Sequence, residues 1–171
     1  LHLELNEPAR ALACSDEAVC LSPMHFAARL NRGAALRALG RNAEVLENDK
    51  TLVRCHPRHP MALYNLGDAL LLNGEDEEAL SVLAEALTLV PGAPQIRIAH
   101  CLALALCQRF AEAQGELDML HRECPEAIRV YFDNAARAAG MAPGGSLPTH
   151  AQLLFAGIVL HRQLRCDWRK R

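Results

Sequence analysis

Aromatic residues are scarce in this 171-residue chain: one Trp, two Tyr and four Phe make up 4% of it. Ala and Leu supply most of the apolar bulk, which suits thin helical layers better than a large globular interior. Excess positive charge is also missing. Eighteen Lys and Arg against twenty Asp and Glu leave a net charge of −2, which argues against nucleic acid as a partner, because that binding needs a basic stripe. The longest apolar run, Ala151 to Leu160, is too short to cross a bilayer, so no membrane partner is expected. There is no CxxC pair, and seven cysteines are an odd number. Cys14 and Cys20, like Cys101 and Cys107, lie six apart, which puts them on different faces of a helix. The expectation is buried free thiols in a reducing cytoplasm. No glycine-rich phosphate loop, Walker motif, GxSxG or HExxH occurs, and no acid–base pair stands out. No catalytic residue, metal site or cofactor is assigned. The chain starts at Leu1 inside a helical pattern, which reads as a fragment of a longer protein.

What is present is a period. Pro23, Pro57, Pro91 and Pro125 follow one another at 34-residue intervals. Other positions keep the same step: Gly33, Gly67, Cys101 and Ala135; Leu36, Leu70 and Leu104; Gly40 and Gly74; Pro60 and Pro94; Ala11, Val45, Ala79 and Ala113. Each series has a physical role. Two antiparallel helices approach most closely where side chains are small, which the Gly33 series supplies on a first helix and the Ala11 series on a second. Gly40 and Gly74 suit a left-handed turn between the two helices. The prolines suit the break after the second helix, which Pro cannot continue.

A 34-residue helix–turn–helix unit resembles the tetratricopeptide repeat. The match is best over Pro60 to Ala93, where Leu63, Leu66, Gly67, Leu70, Ala79, Leu83, Ala86 and Pro91 fall where that family places its large, small and terminating residues. The unit Phe26 to His59 departs at Arg29, Arg32 and Asp49, and the unit Pro94 to Ala127 at Arg97 and His100. The resemblance implies an all-α fold: a right-handed superhelical solenoid of antiparallel helix pairs. The expected organisation is a partial repeat over 1–25, repeats over 26–59, 60–93 and 94–127, and the first helix of an incomplete repeat over 128–141. A linker over 142–149 (APGGSLPT) and a C-terminal helix over 150–171 follow. Thr149 and Gln152 suggest a capping box for that helix. Its Leu153, Leu154, Phe155, Ile158, Leu160 and Leu164 would cover the open end of the array.

Helices are expected at Pro8–Leu21, Met24–Leu39, Asn42–Cys55, Pro60–Leu72, Asp76–Leu89, Pro94–Cys107, Phe110–Glu123 and Glu126–Ala139. Each is too short to be stable alone in water, so stacking must hold them. The resemblance implies that the first helices line a concave groove. In this register its residues include Leu30, Asn31 and Arg37, then Tyr64, Asn65 and Asp68, then Ile98 and Leu102, and finally Phe132. The groove would hold a protein or peptide partner. Asn31 and Asn65 carry a donor and an acceptor each, enough to pair with an extended backbone of any sequence. Repeat arrays of O-GlcNAc transferases carry asparagines at a similar place; here the ladder breaks at Ala99 and changes to Asp133. Repeats that clamp a terminal carboxylate use Lys, Asn and Arg in the groove, whereas Leu30, Ala34, Tyr64 and Asp68 stand here, with no lysine.

Three clusters have simpler readings. The run Glu75–Asp76–Glu77–Glu78 sits where a second helix begins, at the positive end of its dipole. Cys55, His56 and His59 share one turn, but Pro57 and Pro60 make it an exposed corner with no fourth ligand in sequence. His121 and Cys124 repeat that local look with no further metal ligand in sequence. The end of the chain, with Cys166-Asp167-Trp168 after an Arg-rich helix, resembles the segment that joins repeats to the catalytic region in bacterial O-GlcNAc-transferase-like and SPINDLY-like proteins. That resemblance implies a substrate-recognition region whose glycosyltransferase part lies elsewhere. The alternative is an assembly scaffold whose convex face or ends mediate protein association or homo-oligomerisation.

Overall fold

The computed structural model describes residues 7–138. Expectations for 142–149 and 150–171 lie outside the described residues, as does Cys166. Among the described residues there are eight α-helices and no strand: α1 (Pro8–Leu21), α2 (Phe26–Ala38), α3 (Asn42–Cys55), α4 (Pro60–Asn73), α5 (Asp76–Leu89), α6 (Pro94–Leu106), α7 (Phe110–Glu123) and α8 (Pro125–Ala138). Each helix packs on the next in sequence, and α4 also touches α6, as α6 touches α8. The result is helix pairs stacked in line around one continuous apolar seam, from Leu12 through Leu36, Leu70, Leu83 and Leu104 to Ile128. Burying one such Leu stabilises the stack by about 1.5–3 kcal/mol, which the isolated helices cannot gain.

The corners explain the period. After α1, α3 and α5, a backbone turn closes from His25 N to Ser22 O, from His59 N to His56 O and from Ala93 N to Val90 O, each at 3.0–3.2 Å. Pro23, Pro57 and Pro91 occupy the second place of these turns, where their fixed φ is favoured. This turn uses up Met24, so α2 starts at Phe26, two residues later than expected; His25 caps it by accepting from Ala28 N through Nδ1 at 3.1 Å. The same bond forms from Ala127 N to Cys124 O. There, however, Pro125 is already helical, so the corner runs directly into α8. Consequently α8 begins 31 residues after α6, whereas α6 begins 34 after α4.

The inner turns repeat too. Arg41 N to Leu36 O, Glu75 N to Leu70 O and Arg109 N to Leu104 O are equivalent bonds of 2.8–3.0 Å. They require a left-handed residue just before the donor. Gly40 and Gly74 supply it at φ 68° and 87°, and Gln108 supplies it at φ 62°.

The small-residue series marks close approaches. A Cβ on Gly67 would stand 2.5 Å from Leu83 Cγ, so α4 and α5 meet there with no room for a methyl group. Cys101 is buried and donates from Sγ to Ala113 O at 3.2 Å; burial pushes its thiol up to about 12. The expectation of buried thiols holds for this residue and fails for Cys14 and Cys20, which are exposed on α1.

Departures from the apolar pattern are answered by ion pairs. Where the middle unit buries Leu63 and Leu66, the third unit has Arg97 and His100. Arg97 pairs with Glu123, and His100 Nδ1 lies 2.8 Å from Glu116. In the first unit Arg32 pairs with Asp16 at 2.6 Å. Asp49 occupies the place that Leu83 and Leu117 fill in later units and is 1% exposed.

Candidate functional site

α4, α6 and α8 stand side by side and enclose a recess of about 430 Å³. α4 contributes Tyr64, Asp68 and Leu71 to it. α6 contributes Gln95, Ile98, Ala99 and Leu102, and α8 contributes Glu126, Ala127, Val130 and Tyr131. The floor is apolar, with Leu102 almost wholly inside the core and Ile98 half-buried. Tyr64 and Asp68 are one helical turn apart, so their side chains share a face. Burial raises the Tyr64 phenol above its usual range, and the Asp68 carboxylate adds to the effect while Arg37 opposes it. Burial likewise pushes Tyr131 up to about 12, with Asp68 and Tyr64 contributing. Both phenols are therefore neutral hydrogen-bonding groups at ordinary pH.

The structure brings Tyr64, Asp68, Ile98 and Leu102 together in this recess, as the repeat register anticipates. Asn65 is half-buried on α4, and its side chain makes no hydrogen bond among the described residues. Leu30 and Asn31 lie on α2, half-buried and exposed respectively. They stand apart from the recess: α2 and α4 bring no pair of Cα atoms within 8 Å. The side chain of Phe132 lies outside the described residues. Val130, Tyr131 and Glu126 were not anticipated. The 34-residue step points to Phe132, while the described residues of α8 that line the recess are Glu126, Ala127, Val130 and Tyr131. The available signal was Pro125-Glu126, a proline and an acid suited to the first turn of a helix.

Arg37 spans the gap between α2 and α4. Its Nη2 donates to Asp49 Oδ2 at 2.7 Å and to the Asn65 carbonyl at 3.0 Å, and its Nε donates to Asp68 Oδ2 at 3.2 Å. The guanidinium expected to face a ligand is thus engaged with three groups of the protein itself. It joins α2, α3 and α4.

The other clusters have structural partners. Asp76, Glu77 and Glu78 form the first turn of α5, as their sequence position implies. Burial, followed by Glu77, pushes the nearby Cys107 thiol up to about 11. The ring of Phe26 lies 5.1 Å from that of His56, edge-on, and 4.1 Å from that of His59. His56 Nε2 is 3.1 Å from Met24 O. These histidines thus line the corner before α4. Among the described residues, no three His, Cys, Asp or Glu group as metal ligands would. No described helix is long and apolar enough to cross a membrane.

Comparison with known proteins agrees with this geometry. The family model described as "Tetratricopeptide repeat" matches residues 1–44 and 45–94. A curated relative, the TPR repeat-containing thioredoxin TTL4 of Arabidopsis thaliana, is 44% identical over 71 residues. That match takes in 42% of this chain and only 10% of the relative's length. Among solved structures, MamA of Desulfovibrio magneticus RS-1 superposes with a TM-score of 0.68 at 20% identity, over 94% of this chain and 89% of that one. YrrB, described as "a TPR protein with an unusual peptide-binding site", gives 0.64 at 20% identity, over 98% and 86%. TTC0263 of Thermus thermophilus gives 0.64 at 22% identity, over 98% and 92%. At these identities the superpositions establish the fold.

Proposed function

The chain belongs to the tetratricopeptide-repeat family, and from that premise we propose that its α4–α6–α8 recess holds an extended segment of a partner protein. The observation that carries this reading is the recess itself: an apolar floor of Ile98 and Leu102, open to solvent and walled by Tyr64 and Tyr131. A partner side chain would cover the floor. The Asn65 amide, with no hydrogen-bond partner among the described residues, supplies a donor and an acceptor for the partner's backbone. On α2, apart from the recess, Asn31 offers the same pair of groups further along the partner, and Leu30 adds apolar contact there. The test compares proteins retained by the purified chain with those retained by an Asn31→Ala/Asn65→Ala variant and by Ile98→Glu. Loss of the same proteins from both, with helicity intact by circular dichroism, is the expected result. Unchanged retention would move the binding surface elsewhere, and self-association in light scattering would then favour the scaffold.

A finer reading makes this module the substrate-recognition region of an O-GlcNAc-transferase-like protein. It rests on the order of the sequence, repeats followed by Cys166-Asp167-Trp168. The coding sequence after Arg171 tests it: a nucleotide-sugar-binding region there supports the reading, and a stop codon removes it.

A further inference from the structure

Resting on the recess reading above, we propose that the partner segment places a Lys or Arg side chain in the recess, its aliphatic stem on Ile98 and Leu102 and its charged head between Asp68 and Glu126. The lining residues include two carboxylates and no cation. Neither acid is fully used. Asp68 gives one oxygen, Oδ2, to Arg37 at 3.2 Å and keeps about a third of its side-chain surface open. Glu126 is largely exposed, and its nearest cation, Arg129 on the same helix, stands off at 3.8 Å. An exposed pair of that kind contributes little and is easily exchanged. Between the two acids the surface is apolar, and a long basic side chain suits this combination because its stem covers hydrocarbon while its head stays polar. Tyr64 and Tyr131 add ring faces on which a cation is attracted. A terminal carboxylate or an acidic segment would meet like charge from Asp68 and Glu126 with no lining Lys or Arg to offset it.

The test is selection of a random dodecapeptide display library on the full chain, in parallel with Ile98→Lys, which sets a cation on the recess floor, as the background. The expected result is enrichment of Lys or Arg beside an apolar residue, absent from the background selection. A synthetic peptide of the selected sequence should bind about two- to fivefold more weakly to Glu126→Gln, the value of an exposed ion pair. It should also weaken as salt rises. Replacing its basic residue by Gln should produce a similar loss, and the loss should not add to that of Glu126→Gln. Because Glu126 is exposed on α8, that variant costs the fold only the small first-turn effect of its charge, and Asp68→Asn serves as the second variant. Enrichment of apolar residues alone, or of acidic ones, overturns the basic-segment proposal and leaves the recess as a binding site. Selected peptides that bind Ile98→Lys equally well overturn both. A dimer that Ile98→Lys dissociates would seat a second copy in the recess and also overturn the proposal.

Discussion

Arg37 and Asp49 pair across α2 and α3 at 2.7 Å, with Asp49 enclosed in the stack and Arg37 reaching the same site from a rim that is 24% exposed. The pair sits where neighbouring units place Leu83 and Leu117. It converts one layer of hydrocarbon packing into a charged link that also reaches α4. Gly33 is part of the arrangement: a Cβ there would stand 3.2 Å from Arg37 Nη1, Asn48 Nδ2 and Asp49 Oδ1.

Removing one partner should be worse than removing both. Arg37→Ala leaves a buried carboxylate without its counter-charge and should destabilise by about 2–3 kcal/mol, below the full value for a buried pair because Arg37 is partly solvated. The double change Arg37→Met/Asp49→Leu should recover most of this. Urea denaturation of the two single variants and the double variant measures it; equal losses in all three would mean that the pair is not coupled.

Acidity should affect Asp49 in an uncommon direction. Burial raises its carboxyl above the ordinary 3.8, and the opposing effect of Arg37 is smaller. The native state therefore holds this proton more tightly than the unfolded chain. The resulting stability is fully present below 3.8 and is lost as pH rises through the raised native value. The stability difference between the native sequence and Asp49→Asn should accordingly fall with rising pH across that window and then level off. A difference that grows with pH would show that Arg37 outweighs burial.

The α4–α5 contact should not tolerate a methyl group. Gly67→Ala directs a Cβ at fully buried Leu83 and should lower stability by about 1–3 kcal/mol through overpacking. Gly67→Leu should do more and split the middle unit. Thermal unfolding followed by circular dichroism gives the answer, and an unchanged midpoint would place the helix contact elsewhere.

At Gln108 the opposite change should help. This residue occupies the left-handed position that Gly40 and Gly74 fill in the other units. An L side chain there costs about 1 kcal/mol. Gln108→Gly should therefore raise stability by up to about that amount, and Gly74→Ala should lower it similarly. Paired denaturation curves check both, and a destabilised Gln108→Gly would mean that its side chain makes a compensating contact.

The corners and the seam were legible because their chemistry is local. A proline in a turn, a glycine at positive φ and a leucine every 34 residues declare themselves without knowledge of their neighbours. The recess was legible on α4 and α6 for the same reason. On α8 the lining residues Glu126, Val130 and Tyr131 did not follow from the step, because Pro125 is a helix residue there and α8 starts 31 residues after α6. Arg37 shows a different limit. Its position on the helix follows from the period, but a long flexible side chain goes where charge draws it, and buried Asp49 lies twelve residues away on another helix. Asp49 itself stood out as a departure, while its partner depended on packing. Exposed Cys14 and Cys20 show that composition suggests burial and only neighbours supply it.

The ionic substitutions flank the hydrocarbon contact of Gly67 with Leu83, with Asp16–Arg32 and Arg37–Asp49 before it and His100–Glu116 and Arg97–Glu123 after it. A linear stack melts from its weakest joints, so dissolved salt, which screens the open pairs Asp16–Arg32 and Arg97–Glu123 far more than enclosed Arg37–Asp49, should loosen both shoulders and spare the centre. Amide protons of α4 and α5 would then exchange last, and the rigid wall of the recess would outlive the two helices that complete it.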